Sequence, residues 1–139
     1  SNEYLNFSSV KQINGGYISC GGGFPLNNIL VVNTDNSGNI LWSNKYGAAN
    51  GDYYTEKIIQ VAGGGFALAG TVFDIFNPKS NSYFLINMTS SGNISFSKMY
   101  GISFEINFAS FQQTMDGGYI ICGTKYSIKY VYSQLPSFS

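Results

Sequence analysis

The sequence predicts an all-β chain, a partial β-propeller of about two and a half four-stranded antiparallel blades. Three observations carry that expectation. First, one octapeptide is spelled three times: NGGYISCG at 14–21, GGGFALAG at 63–70 and DGGYIICG at 116–123. Second, NTDNSGNILWSNKYG at 33–47 aligns without a gap to NMTSSGNISFSKMYG at 87–101, so that Trp42 matches Phe96. A period of about 50 residues made of strand signals is that of propeller blades or a comparable β array. Third, 44% of the residues are apolar and 17% aromatic, while only 10% are charged, against about 25% in an average globular protein. Aromatic residues with 17 glycines and only three prolines suit short strands joined by tight turns. Low charge and high hydropathy exclude disorder.

Within each unit the elements follow in a fixed order. A first strand runs polar to apolar at Val10–Gln12, Lys57–Val61 and Ala109–Gln113. A glycine-rich hairpin follows, whose paired glycines supply the positive φ that a Cβ makes costly. The second strand is Tyr17–Gly21, Phe66–Gly70 and Tyr119–Gly123; a longer connection leads to the third, Ile29–Asn33 and Tyr83–Asn87. A Ser-Gly-Asn hairpin then leads to the fourth, Ile40–Tyr46 and Ile94–Tyr100. Second and third strands are apolar on both faces (Phe66 and Leu68 against Ala67 and Ala69), which requires a covering layer on each side. The fourth alternates, with Ile40, Trp42 and Tyr46 on one face and Leu41, Ser43 and Lys45 on the other, as an outer strand with one wetted face does. Small residues in the second strand let neighbouring sheets converge on an axis, the packing of a propeller. The chain is one domain over 1–139, with units at 7–54, 55–107 and 108–139. The last unit is incomplete, its only further strand signal being Ile128–Tyr132.

The pattern Asp-Gly-Gly-Tyr, then Ser-Gly-Asn-Ile-x-Trp and Lys-x-Tyr-Gly, resembles the Gly-Gly-Tyr propeller repeats of secreted and cell-surface proteins, mostly bacterial and archaeal. The resemblance covers 7–123 and implies a secreted or surface location, with a scaffolding or adhesion role. The stretch through Trp42 also resembles the tryptophan-docking repeat of quinoprotein dehydrogenases. Here, however, Asp35 and Gly38 are spaced one residue too closely, Phe96 replaces the second tryptophan, and arginine is missing. Trp42 is therefore expected to pack between blades, and no cofactor is expected.

Two and a half blades leave apolar faces to cover. The partners expected are other blades of the same polypeptide, with the sequence as a fragment of a longer one, or copies of the chain that close the ring. Other surface proteins or glycans are further candidates. Nothing at the N-terminus resembles a signal peptide, and a chain starting Ser1-Asn2 is expected to have lost or left out its leader. The net charge is zero and all seven basic residues are lysines. Without guanidinium groups or a lysine cluster, nucleic acid is not an expected partner. The apolar runs of four or five residues are too short for a helical membrane span, which takes about 20.

The same composition narrows the chemistry. There is no histidine, so neither a Ser-His-Asp nor a Cys-His nucleophile can be assembled from this chain, and no catalysis or metal centre is expected. Asp35-Asn36-Ser37-Gly38-Asn39 superficially follows a calcium loop, but glycine stands fourth where an EF-hand needs it sixth, and the parallel Thr89–Asn93 has no carboxylate. Asp116 is a turn residue. Paired carboxylates drawn from Glu3, Asp35, Asp52, Glu56, Asp74, Glu105 and Asp116 remain open in principle. Cys20 and Cys122 occupy equivalent positions, where Ala69 is the third, and are expected to be small buried residues too far apart for a disulfide. Among the sequons, Asn93 at a turn tip is the candidate glycosylation site. The second-to-third-strand loops, Gly22–Asn28 and Phe73–Asn81, differ most between units, as binding loops do. Phe24, Phe73, Asp74 and Phe76 are the ligand-binding candidates there, suited to a lectin-like or enzymatic propeller that stacks on and hydrogen-bonds a sugar.

Overall fold

The structure, a computed structural model, describes residues 4–24, 28–49, 51–77, 81–103 and 105–126. Ten antiparallel strands form three sheets with no helix among the described residues. The first sheet has the order β1 (Tyr4–Ile13), β2 (Gly16–Phe24), β3 (Asn28–Asp35), β4 (Ile40–Tyr46). The second repeats that meander with β5 (Gly51–Gln60), β6 (Phe66–Asp74), β7 (Asn81–Met88) and β8 (Ile94–Ser103). The third is the pair β9 (Glu105–Gln113) and β10 (Tyr119–Tyr126). None of the sheets closes on itself. The strand signal at 128–132 lies outside the described residues, as does the side chain of Phe24.

The three glycine-rich hairpins use their two glycines differently. The first of each pair, Gly15, Gly64 and Gly117, has φ of 88°, 94° and 86° and makes the turn. The second stands against a neighbouring strand: a Cβ on Gly16 or Gly65 would overlap the carbonyl oxygen of Thr34 or Met88. The aromatic that follows pairs with glutamine in all three sheets: Tyr17 with Gln12, Phe66 with Gln60, Tyr119 with Gln113.

The first strand of each sheet is longer than its sequence signal, because a β-bulge lets pairing continue. Ser8, Glu56 and Ala109 are the extra residues, each opposite the step into Gly21, Gly70 or Gly123. At all three glycines a Cβ would overlap a backbone carbonyl, that of Asn6, Tyr54 or Asn107. The closing glycine of the octapeptide is thus the partner of a bulge. Pairing past the bulge shortens the expected loops, since β2 runs to Phe24 and β6 to Asp74.

Two face assignments differ from expectation. In β4 the register slips between Asn33/Trp42 and Thr34/Ile40, leaving Leu41 extra. Ile40 therefore leaves the face of Trp42 and Tyr46, and both Ile40 and Leu41 are exposed. In the second sheet β6 is buried on both faces from Phe66 to Val72. In the first sheet β3 is buried only at alternate residues, because no other described sheet lies over one of its faces.

The sheets stack in chain order. β1, β2 and β3 lie on β5, and β9 lies on β5, β6 and β7. One core joins Ile18, Cys20, Ile29 and Val31 of the first sheet to Ile58, Phe66, Leu68, Phe84 and Met88 of the second. The other joins Ala67, Ala69 and Leu85 to Phe111, with Phe108, Tyr119 and Ile121 packed around them. Burying each large apolar side chain contributes about 1.5–3 kcal/mol, so these two layers hold the stack together. The same ring contact recurs in both: Trp42 meets Phe66 with centroids 6.4 Å apart, and Phe96 meets Tyr119 at 6.2 Å.

Candidate functional site

Two surfaces stand out, an open apolar face and a pair of clefts along β5. The face belongs to the first sheet. Leu5, Val10 and Tyr17 are 56%, 69% and 40% exposed, whereas the equivalent Tyr53, Ile58 and Phe66 of the second sheet are 6%, 2% and 2% exposed. The residues are of the same kind; among the described residues no sheet covers this face. Phe7 extends the patch, whereas Tyr4, on the opposite face of β1, lines the cleft toward β5. At the other end of the stack Ile120 and Cys122 are exposed on β10.

The equivalent cysteines therefore differ. Cys20 is a free thiol, fully buried between the first two sheets, and burial pushes it up to about 12. Cys122 is free as well but exposed, contrary to its expected burial, because no described sheet lies over its face.

The clefts flank β5, the edge strand of its sheet. One, of about 260 Å³, lies toward β1 and is lined by Asn6, Ser8, Gly22, Tyr53 and Thr55 among others. The second, of about 390 Å³, lies toward β9, with Thr71 and Ile106 in its lining. Tyr54 and Glu56 line both. Glu56 reaches this position as the bulge residue, unpaired with β6, and partial burial raises its carboxyl above the usual range. Tyr54 donates its hydroxyl to Asp52 Oδ2 at 3.0 Å. Burial first, and the Asp52 carboxylate second, raise its phenol. Phe73, paired with Asp52 across the strands, meets the Tyr54 ring edge-on at 5.4 Å. The far wall is pinned by Tyr83, whose hydroxyl contacts the Asn107 carbonyl at 3.1 Å and the Thr124 carbonyl at 2.8 Å.

Of the ligand-binding candidates whose side chains are described, Phe73 enters this cleft lining. Asp74 caps the following turn, accepting from the amides of Phe76 and Asn77 at 2.9 and 3.2 Å. Phe76 is exposed on that turn. Asp52 and Glu56 were legible only as two carboxylates, and Tyr54 carried no signal at all. The glycine opposite the bulge was the mark that an extra, re-aimed residue stood at 56.

The remaining candidates are structural. Asp35 accepts from the amides of Ser37 and Asn39 at 2.8 and 2.9 Å and from Asn39 Nδ2 at 2.9 Å. These bonds, the Asn39 side chain foremost, hold its carboxyl below the usual range. Thr89 Oγ1 does the same work for Asn93 N, so the stretch is a hairpin turn. Asn93 is exposed there. Asp116 accepts from the Thr114 hydroxyl, which lowers it. Trp42 packs between sheets and donates Nε1–H to the Ser90 carbonyl at 3.1 Å. Among the described residues no three His, Cys, Asp or Glu side chains gather as metal ligands.

No known protein-family model matches the chain, and no curated protein matches its sequence.

Proposed function

We propose that the chain is a run of propeller blades that serves as a non-catalytic scaffold or adhesion module of a secreted or surface protein. Its working surface is the open face of the first sheet. The observation that carries this reading is the residue-by-residue equivalence of that face with the covered face of the second sheet. Val10 stands where Ile58 is buried, and Tyr17 where Phe66 is buried. An apolar face of this kind is an interaction surface, and the neighbour it fits is one more meander of the same pattern. That meander comes from further blades of the same polypeptide or from a second copy. The constant order of stacking and the recurring ring contact give each added sheet the same step, and a step repeated with rotation closes into a ring.

Electron microscopy of concentrated protein tests the reading. Ring-shaped particles with a central opening are expected, from oligomers here or from a longer chain that supplies the missing blades. Straight stacks with no central opening would contradict the propeller.

A further inference from the structure

We propose that the cleft between β5 and β9 binds a saccharide, seating one pyranose ring against Phe73 and Tyr54. The inference goes beyond the scaffold role, because the described lining of this cleft comes from the second and third sheets. Its 390 Å³ falls within the range of about 300–1,000 Å³ typical of small-molecule sites.

The lining selects the ligand class. The two carboxylates of the lining are Asp52 and Glu56, and among the described residues no basic side chain lines the cleft. Phosphates, sulfates and carboxylates therefore meet like charge. A purely apolar ligand would strip water from two carboxylates and gain no hydrogen bond in return. A neutral sugar avoids both costs. Its hydroxyls donate to carboxylate oxygens, and hydrogen bonds to ionised acceptors are the strong ones. Among the described residues no donor is bonded to Glu56, so its oxygens stand ready for such bonds. Asn107 also lines the cleft and can donate from its amide nitrogen to a ring or hydroxyl oxygen.

The aromatic wall fits the same ligand. Tyr54 and Phe73 meet at an interplanar angle of 86° and form a corner, while Phe108 faces them from β9. A pyranose presents one face of C–H bonds that packs on an aromatic ring while its equatorial hydroxyls reach sideways to polar groups. Rigid backbone holds the wall. Asp52, Tyr54 and Phe73 lie on paired strands, and Tyr83 ties the second sheet to the third below them.

The test is a glycan array probed with the whole chain, followed by calorimetric titration of the best neutral oligosaccharide. Neutral glycans should bind, and sulfated or sialylated ones should not. Glu56→Gln removes the charged acceptor on an exposed side chain and should weaken binding about tenfold or more, with an unchanged melting temperature. Phe73→Leu should weaken it as well. Leu41→Ala, at the exposed bulge of β4 in the first sheet, should leave it unchanged. A blank array, preference for anionic glycans, or full affinity in Glu56→Gln would overturn the proposal. So would loss of binding in Phe76→Ala with Glu56→Gln intact, which would move the ligand onto the loop.

Discussion

The second sheet has a neighbour on each side, and the two layers are packed by different means. Toward the first sheet it presents bulk: Phe66 and Leu68 against Ile18, Cys20 and Val31. Toward the third it presents Ala67 and Ala69, and the partner supplies the bulk with Phe111 and Tyr119. The ring contact is common to both layers, but the hydrogen bond beside it is not. In the second layer Asn87 Nδ2 donates to the Tyr119 hydroxyl at 2.5 Å. In the first, Phe66 holds the equivalent place without a hydroxyl, and among the described residues buried Asn33 Oδ1 has no partner. The first layer compensates at its rim, where the Tyr46 hydroxyl donates to the Gly92 carbonyl and Trp42 to that of Ser90. Repeated strands thus fix where the sheets meet; the side chains at each meeting are local solutions.

The strongest way to break the comparison is to empty one layer and its uncovered counterpart. Phe66→Ala removes a ring 2% exposed between sheets and should cost about 3–5 kcal/mol in denaturant unfolding. Tyr17→Ala, at the equivalent but half-exposed position, should cost far less. Equal losses would mean that both faces are covered alike.

Overfilling gives the next largest contrast. Ala69→Leu, with no exposed surface beside Phe111, should destabilise by about 1–3 kcal/mol. Cys122→Leu, at the matching exposed place, should change stability by no more than about 0.5 kcal/mol.

Smaller effects separate the two polar arrangements. Tyr119→Phe leaves Asn87 without its acceptor and should cost about 1–3 kcal/mol, whereas Phe66→Tyr offers Asn33 Oδ1 a donor and should gain about 0.5–1.5 kcal/mol. Thermal unfolding of both variants checks the pair.

The smallest perturbation is a thiol count. Cys20 is buried and pushed up to about 12, so at pH 8 it carries almost no thiolate, the reactive form. In dilute native protein one of the two cysteines, Cys122, should react quickly with a disulfide reagent, and both should react in denaturant. Two fast thiols would show that the first layer is open.

The strand order and the place of Trp42 between sheets were legible because they rest on local chemistry: glycine turns, period-two alternation, and the alignment of Trp42 with Phe96 at matching places. The bulges were not, since an extra residue leaves no mark on its own strand and only Gly21, Gly70 and Gly123 record it. Ile40 was placed on the wrong face for the same reason, as one extra residue inverts every side chain beyond it. Cys122 read as buried because composition cannot say whether a neighbour is present. The cleft was half legible. Phe73 lay in a variable loop by sequence, but its alliance with Tyr54, Asp52 and Glu56 depends on how β5 is twisted at its bulge.

The association state of the chain tests most directly whether the open face of the first sheet needs a cover. Size-exclusion chromatography with light scattering should give a mass above 15.1 kDa that rises with concentration. Val10→Lys, which puts a charge on the face, should return it to the single-chain mass. A cooperative, well-folded species of 15.1 kDa at every concentration, unchanged by Val10→Lys, would contradict the account.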